Sequence, residues 1–349
     1  MSNPFIVIPT LNEQEGLDSI LRVVPEQYTV IVVDDGSTDK TEQVALSYSN
    51  TIFINRGKKL GLVSAYIEGM RVAVNKGADY ICVMDGDGQH DPTVLEEMVT
   101  FAKENEADLV IGSRYLGSSK EKSNDMHFIR KLISRTANSM YRMSFGKYLH
   151  DATSGLRVYS KKAAVELLND PPGQSSYAGQ VEIVTKLHAK GLNLMEFPVD
   201  FNERIGGESK LRSRDILSFF TFILFYGNLW KYLTVGLFGL VLNEFVLYSL
   251  SFQINYVFAE FAAIEVTVLT NFLFNEYWTF RGRVLNKKIS RFVVRIAKFN
   301  VASYGGVIIN FFVFVILSTV GLNILVSNFI GINLAFIYRY VVSVNAVWI

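Results

Sequence analysis

Hydrophobic and polar positions divide this chain into two regimes. Up to about Arg214, short apolar runs alternate with stretches whose apolar residues repeat at helical spacing, and beyond Phe219 long apolar runs dominate. In the first regime the runs 5–9, 29–35, 51–55, 80–85 and 108–113 predict strands. Amphipathic stretches near 14–24, 39–48, 61–76 and 93–105 predict helices between them. Strands that are continuous apolar runs, separated by helices, describe a parallel sheet covered on both faces. The expected fold class is therefore α/β, Rossmann-like, a mainly parallel sheet with helices on both faces, followed by an all-helical membrane domain.

In the second regime the runs 233–251, 256–275, 299–320 and 323–345 each approach the roughly 20 apolar residues needed to cross a bilayer. They form two hairpins with short connections at 252–255 and 321–322. The loop expected between the hairpins carries Arg281, Arg283, Lys287, Lys288, Arg291, Arg295 and Lys298 and no acidic residue. The positive-inside rule places that loop in the cytoplasm, and an even number of spans puts the N-terminal domain on the same side. The expected layout is a domain at 1–228 on the cytoplasmic side of the cell membrane and a four-span domain at 229–349.

Two stretches read as interfacial rather than spanning. Across 124–147, Ile129, Leu132, Ile133, Ala137 and Met140 repeat at helical spacing, while Arg130, Lys131, Arg135 and Arg142 supply a basic side. A basic amphipathic helix suits an anionic membrane lipid surface. The aromatic-rich stretch 213–230 leads into the first span. Ordinary core packing is the alternative for both.

Composition agrees with this layout. The chain has 349 residues, half of them hydrophobic, with a mean hydropathy of +0.23, too apolar for a soluble enzyme. The net charge of +1 points to no partner, and nucleic acid is not expected as one. The single cysteine, Cys82, sits inside an apolar strand run and reads as a buried structural thiol. The N-terminus lacks a basic region and a long apolar run, so a secretory signal is not expected.

In parallel sheets ligands bind where strands end at their carboxyl edge. Those ends are Thr10-Leu-Asn-Glu13, Asp34-Asp-Gly-Ser-Thr-Asp39, Asn55-Arg-Gly57, Asp85-Gly-Asp-Gly-Gln89 and Gly112-Ser-Arg114. The sharpest is the fourth. Two carboxylates one residue apart, with Gln89 as a neutral oxygen, can share Mg²⁺ or Mn²⁺ with a diphosphate, and Gly86 lets the backbone approach a ligand. Asp35 can accept from a base or ribose, while Asp39 suits a helix cap. His90 reads as a polar neighbour rather than a ligand. No Gly-x-Gly-x-x-Gly follows the first strand and no Gly-Lys-Ser/Thr occurs, which argues against dinucleotide oxidoreductases and P-loop enzymes.

The run Ile8-Pro-Thr-Leu-Asn-Glu13, with Val33-Asp-Asp-Gly-Ser-Thr-Asp39, Asn55-Arg-Gly-x-x-x-Gly61 and Met84-Asp-Gly-Asp-Gly-Gln-His-Asp-Pro92, resembles the family 2 glycosyltransferases of GT-A fold. Gly112-Ser-Arg-Tyr115, Arg130-Lys-Leu-Ile-Ser-Arg-x-Ala-Asn138, Asp151-Ala-Thr-Ser-Gly-Leu-Arg157 and Arg204-x-x-Gly-Glu-Ser-Lys210 narrow the resemblance to the dolichyl-phosphate mannose synthases. The four-span tail is similar, by hydropathy and layout, to the GtrA-like membrane domain. The resemblance implies a donor GDP-mannose and an acceptor dolichyl or polyprenyl phosphate. It implies that Pro9, Leu11, Glu13, Val33 and Asp35 hold the nucleoside, and that Asp85, Asp87 and Gln89 engage metal and diphosphate beside Gly86. Arg114, Arg130 and Ser134 would receive the acceptor phosphate, and Arg204 and Lys210 would close over the donor phosphates.

The mechanism expected is in-line displacement at the anomeric carbon by a lipid phosphate oxygen, with inversion. A phosphate acceptor is already largely ionised near neutral pH and needs no general base. A UDP-glucose-dependent polyprenyl-phosphate glucosyltransferase remains open, differing in its base and sugar pockets. So does a lipid-linked-sugar translocator or scaffold with a degenerate transferase domain, given Glu244, Glu260, Glu265 and Glu276 within or bordering the spans. A processive polysaccharide synthase is disfavoured because no Gln-x-x-Arg-Trp occurs.

Overall fold

The computed structural model describes residues 4–116, 138, 141–142, 149–173, 177–201, 218, 221–222, 224, 228–281 and 289–348. The chain divides into two units, Met1–Ser139 with Tyr148–Phe222, and Met140–Lys147 with Ile223–Ile349.

In the first unit all five expected strands form: β1 Phe5–Thr10, β2 Thr29–Asp34, β3 Thr51–Asn55, β4 Tyr80–Val83 and β5 Leu109–Ser113. The expected helices are α1 Gln14–Leu21, α2 Thr41–Leu46, α3 Leu62–Asn75 and α4 Val94–Glu104. Two further strands, β6 Arg157–Ser160 and β7 Leu194–Pro198, and two helices, α5 Lys161–Asn169 and α6 Tyr177–Ala189, complete the described part. The sheet order is β3-β2-β1-β4-β6-β5-β7. All neighbours are parallel except β6, which runs antiparallel to both β4 and β5.

The continuous apolar strands are buried on both faces, as their composition requires. Ile6, Ile8, Val30, Val32, Cys82, Val110 and Val158 join α1 and α4 residues such as Leu17, Ile20, Leu95 and Met98 in one core. Each such side chain contributes about 1.5–3 kcal/mol when fully buried. Burial pushes the Cys82 thiol up to about 12, so it is a packing group and not a nucleophile. The chain steps outward from β1 through β2 to β3, then returns to place β4 on the other side of β1. The sheet therefore has its switch point between the carboxyl ends of β1 and β4, where open α/β sheets hold ligands.

The second unit contains four helices long and apolar enough to cross a membrane, Leu229–Ser251, Tyr256–Thr279, Ile289–Thr319 and Ile324–Val347. Their α-helical parts are α7 Leu229–Ser251, α8 Tyr256–Phe274, α9 Ile289–Thr319 and α10 Ile324–Val342. α8 and α10 each end in a π turn, Asn275–Thr279 and Ser343–Val347. The third helix begins at Ile289, well ahead of the expected residue 299, so Arg291, Arg295 and Lys298 are helical rather than part of a loop. Their charges mask an apolar face carrying Phe292 and Ile296, which packs on an aromatic cluster of Tyr232, Phe272, Phe280, Phe299 and Trp348. Arg295 is also neutralised: its Nε and Nη2 donate to Glu276 at 3.0 and 2.5 Å, and Trp348 Nε1 donates to the same carboxylate at 2.7 Å.

Of the other span carboxylates, Glu265 accepts from Tyr304, while Glu244 is exposed. Most of the expected interfacial stretches 124–147 and 213–230 lies outside the described residues.

Candidate active site

The ends of β1 and β2 are adjacent, with Pro9 opposite Val33 and Thr10 opposite Asp34. Asp34 is consumed by the turn that follows it. One of its oxygens accepts from Thr10 Oγ1 at 3.0 Å and Ser37 Oγ at 2.5 Å, and the other accepts from the amides of Gly36 and Ser37. Asp39 is likewise structural, accepting from the Thr41 amide and hydroxyl and, across the loop, from the Gln14 amide. Burial opposes its charge, but the bonds from Thr41 and Gln14 outweigh it and hold the carboxyl below the ordinary 3.8. Asn12 and Glu13 are stitched to the same loop, through Ser37 and Thr38 for Asn12 and through Thr41 for the Glu13 amide. The β1–α1 and β2–α2 loops thus form one rigid rim carrying Leu11, Glu13 and Asp35.

Asp35 is buried, 7 % exposed, and is gripped by the motif after β3. Arg56 Nη1 donates to Oδ1 at 2.6 Å and the Gly61 amide to Oδ2 at 2.8 Å. Arg56 is further tied to Ser64 and Glu68 of α3. This explains Asn55-Arg-Gly-x-x-x-Gly61 as a device that orients a carboxylate. Arg56 was not among the expected site residues, although its motif was.

On the other side of the switch point lie Asp85, Gly86, Asp87 and Gln89. The Tyr66 hydroxyl of α3 donates to Asp85 Oδ1 at 3.0 Å and accepts from Gln180 Nε2 of α6 at 3.2 Å. Burial, and then the Asp85 charge, push the Tyr66 phenol well above its ordinary value, so it remains a donor. Gly155 approaches so closely that a Cβ there would lie 2.2 Å from Asp85 Oδ2. Asp87 is buried, and its Oδ1 accepts from the Gln89 amide at 3.1 Å. Gly155 lies in the motif Asp151–Arg157, but nothing in the sequence pointed it at Asp85, and Tyr66 and Gln180 carried no sequence signal of their own, since each is brought to Asp85 from a distant element.

A divalent cation fits this donor set. Asp85 and Asp87 offer hard oxygens from one turn, and among the described residues no group of three or more His, Cys, Asp or Glu forms a protein-only cage. Few protein ligands plus phosphate oxygens is the way Mg²⁺ is ordinarily held.

Arg114, just beyond β5, makes a two-pronged pair with Asp151, Nε to Oδ2 at 2.6 Å and Nη2 to Oδ1 at 2.7 Å. Thr153 and Asn138 complete the cluster. Burial would raise the Asp151 pKa, but the Arg114 charge and hydrogen bonds prevail and hold it below 3.8. The Arg114 guanidinium also lies over the rings of Tyr115 and Phe201, 5.6 and 5.3 Å from their centres. His90 packs edge-on to Phe201. Burial, and then Arg114, push its pKa down to about 3, leaving a neutral ring. Arg157, fully buried, donates to the carbonyls of Ser154, Ala152 and Gln180, fixing the segment that carries Gly155.

The structure therefore brings together Pro9, Leu11, Glu13, Val33, Asp35, Asp85, Gly86, Asp87 and Gln89 at neighbouring strand ends. Arg130, Ser134, Arg204 and Lys210 lie outside the described residues.

Comparison with known proteins fits this arrangement. Residues 5–168 match the glycosyl transferase family 2, and residues 231–348 match the GtrA/DPMS transmembrane domain. A dolichol-phosphate mannosyltransferase of Pyrococcus furiosus is 32% identical, covering 98% of this chain and 98% of that one. The chain belongs to the family 2 glycosyltransferases. A second relative of this glycosyltransferase, the polyprenol monophosphomannose synthase of Mycolicibacterium smegmatis, is 32% identical over 60% of this chain and 82% of that protein. A crystal structure of glucosyl-3-phosphoglycerate synthase from Mycobacterium tuberculosis aligns with a TM-score of 0.49 and 18% identity, covering 64% of the glycosyltransferase and 79% of that chain. The glycosyltransferase is thus a multi-pass membrane enzyme with a GT-A-like domain of mainly parallel sheet and a four-helix membrane domain.

Proposed function

We propose that this glycosyltransferase moves mannose from GDP-mannose to the phosphate of dolichol or another polyprenol, with inversion, at the cytoplasmic face of the membrane. The observation that carries the reading is the placement of Asp85 and Asp87 at the β1/β4 switch point beside the rim bearing Asp35. Nucleoside and diphosphate would there sit side by side. The names of the two relatives support mannose and a prenyl phosphate. The basic run from Arg281 to Lys298 supports the cytoplasmic side.

In this reading Pro9, Leu11, Glu13, Val33 and Asp35 hold the nucleoside. Asp85 and Asp87, with Gln89, would hold Mg²⁺ or Mn²⁺, whose charge offsets that of the diphosphate leaving group. Arg204 and Lys210 add positive charge to the departing GDP. Arg130 and Ser134 receive the acceptor phosphate, where a planar guanidinium fork matches phosphate oxygens, and Arg114, whose own fork is held by Asp151, contributes positive charge beside them. The acceptor oxygen attacks the anomeric carbon as the bond to GDP breaks, and no side chain need remove a proton. Catalysis comes chiefly from holding two anionic reactants in line.

The test incubates detergent-purified protein with Mg²⁺ or Mn²⁺, a polyprenyl phosphate, and GDP-mannose or UDP-glucose in parallel, with mass spectrometry of the lipid fraction. A hexosyl lipid formed only from GDP-mannose is the expected result. Product only from UDP-glucose would transfer the mechanism to glucose, and no product from either would refute the acceptor assignment.

A further inference from the structure

The membrane unit treats the basic groups of its helices unequally. Arg295 is matched by Glu276, and Lys298 donates to the Ala346 carbonyl at 2.9 Å. Arg339, in the last turn of α10, has no carboxylate partner among the described residues. Its hydrogen bond is a long one, Nε to the Ala335 carbonyl of its own helix at 3.4 Å. Nη1 and Nη2 donate to no described residue and are not sealed from the surface. An arginine within an apolar helix is costly unless something satisfies it.

The fold nevertheless makes room for this side chain. Its stem lies across Gly306 of α9, where a Cβ would come within 2.8 Å of Arg339 Cδ and 3.0 Å of Nε. Any larger residue at 306 would displace the guanidinium. Next to Gly306 in sequence, Val307 and Ile308 are exposed and apolar, as are Ile332 and Ile337 on the helix that carries Arg339.

We propose that Arg339, seated on Gly306, binds the phosphate of an anionic membrane lipid whose acyl chains cover these apolar neighbours. A guanidinium with two open nitrogens presents a fork to phosphate oxygens. The apolar surround selects a lipid phosphate over a free anion, because a soluble phosphate would leave those side chains uncovered. This site shares no residue with those assigned to sugar transfer, so its test does not depend on which sugar is moved.

The full-length protein would be titrated in neutral detergent with phosphatidic acid, with diacylglycerol and with inorganic phosphate, and retained molecules counted by native mass spectrometry. Phosphatidic acid should be retained by the wild type and about tenfold more weakly by Arg339→Gln, the loss of one charge-assisted contact. Arg339→Lys should fall between them. Gly306→Val, which keeps the charge but fills its seat, should weaken retention as well and serves if Arg339→Gln does not fold. Folding of each variant is checked by monodispersity and thermal unfolding. Equal retention by wild type and Arg339→Gln would overturn the proposal, as would diacylglycerol or inorganic phosphate binding as tightly as phosphatidic acid.

Discussion

The Tyr66 hydroxyl donates to Asp85 Oδ1 at 3.0 Å from a position fully buried in α3, and Gln180 in turn donates to that hydroxyl. Asp85 is therefore aimed by a group that is itself sealed in the core. Tyr66→Phe should weaken Mn²⁺-dependent GDP binding about 10–100-fold, the usual effect of deleting a partner behind a metal ligand. Isothermal titration of GDP with and without Mn²⁺ checks this. Unchanged affinity in a folded variant would show that Asp85 is oriented by other means.

Gly155 should be as demanding as Tyr66, by a different route. Because a Cβ there would meet Asp85 Oδ2 at 2.2 Å, Gly155→Ala must push the carboxylate aside. A displacement of this order costs about a hundredfold in turnover when it misplaces a reacting group. Steady-state kinetics at saturating metal would read the loss, and circular dichroism should show the fold retained.

The Arg114–Asp151 pair makes a pH prediction. The native Asp151 carboxyl is held below its ordinary 3.8, so its stabilising contribution is complete above that value and disappears as pH falls through the depressed native one. Asp151→Asn should lower stability by about 3–5 kcal/mol at neutral pH, because it strips a buried charge pair of one member. The same variant should show a shallower fall of Tm with acidification below 3.8. Thermal unfolding at a series of pH values tests both, and parallel curves for wild type and variant would contradict the assignment.

In the membrane unit, Glu276 joins Arg295 and Trp348. Glu276→Gln alone should destabilise this unit more than Glu276→Gln combined with Arg295→Gln, because the single change leaves a partly buried cation without its counter-charge. Tryptophan fluorescence during heating in detergent would report the order of the three melting temperatures.

Much of the fold was legible from periodicity, because its first five strands are apolar runs of the kind that a doubly covered parallel sheet needs. β6 and β7 were not, for physical reasons. Arg157-Val-Tyr-Ser160 is short and opens on an arginine whose burial is made possible by the carbonyls of the preceding loop and of the distant Gln180. Leu194-Met-Glu-Phe-Pro198 carries a glutamate and ends on proline. The start of α9 was hidden because hydropathy counts Arg295 as a polar residue, whereas Glu276 neutralises it. At the site the motif residues were legible as strand ends. Their orienting partners Arg56, Tyr66 and Gln180 were not, since the pairings arise only when distant elements meet.

The position of β6 has a consequence for how the chain folds. Strands β1 to β4 pair among themselves within residues 5–83, while β4's other neighbour lies at 157–160 and β5 must still await β7 at 194–198. Loop closure over such separations is slow and entropically costly compared with the local pairings. The first four strands can therefore consolidate early, with the outer side of β4 open until β6 arrives. Asp85 stands at that seam, aimed by Tyr66 from the early part and confined by Gly155 from the late part. A nascent or clipped chain holding only the early part would keep the carboxylates and Tyr66 yet lack Gly155 and Gln180, which confine that pairing, so the site is complete only when the sheet closes.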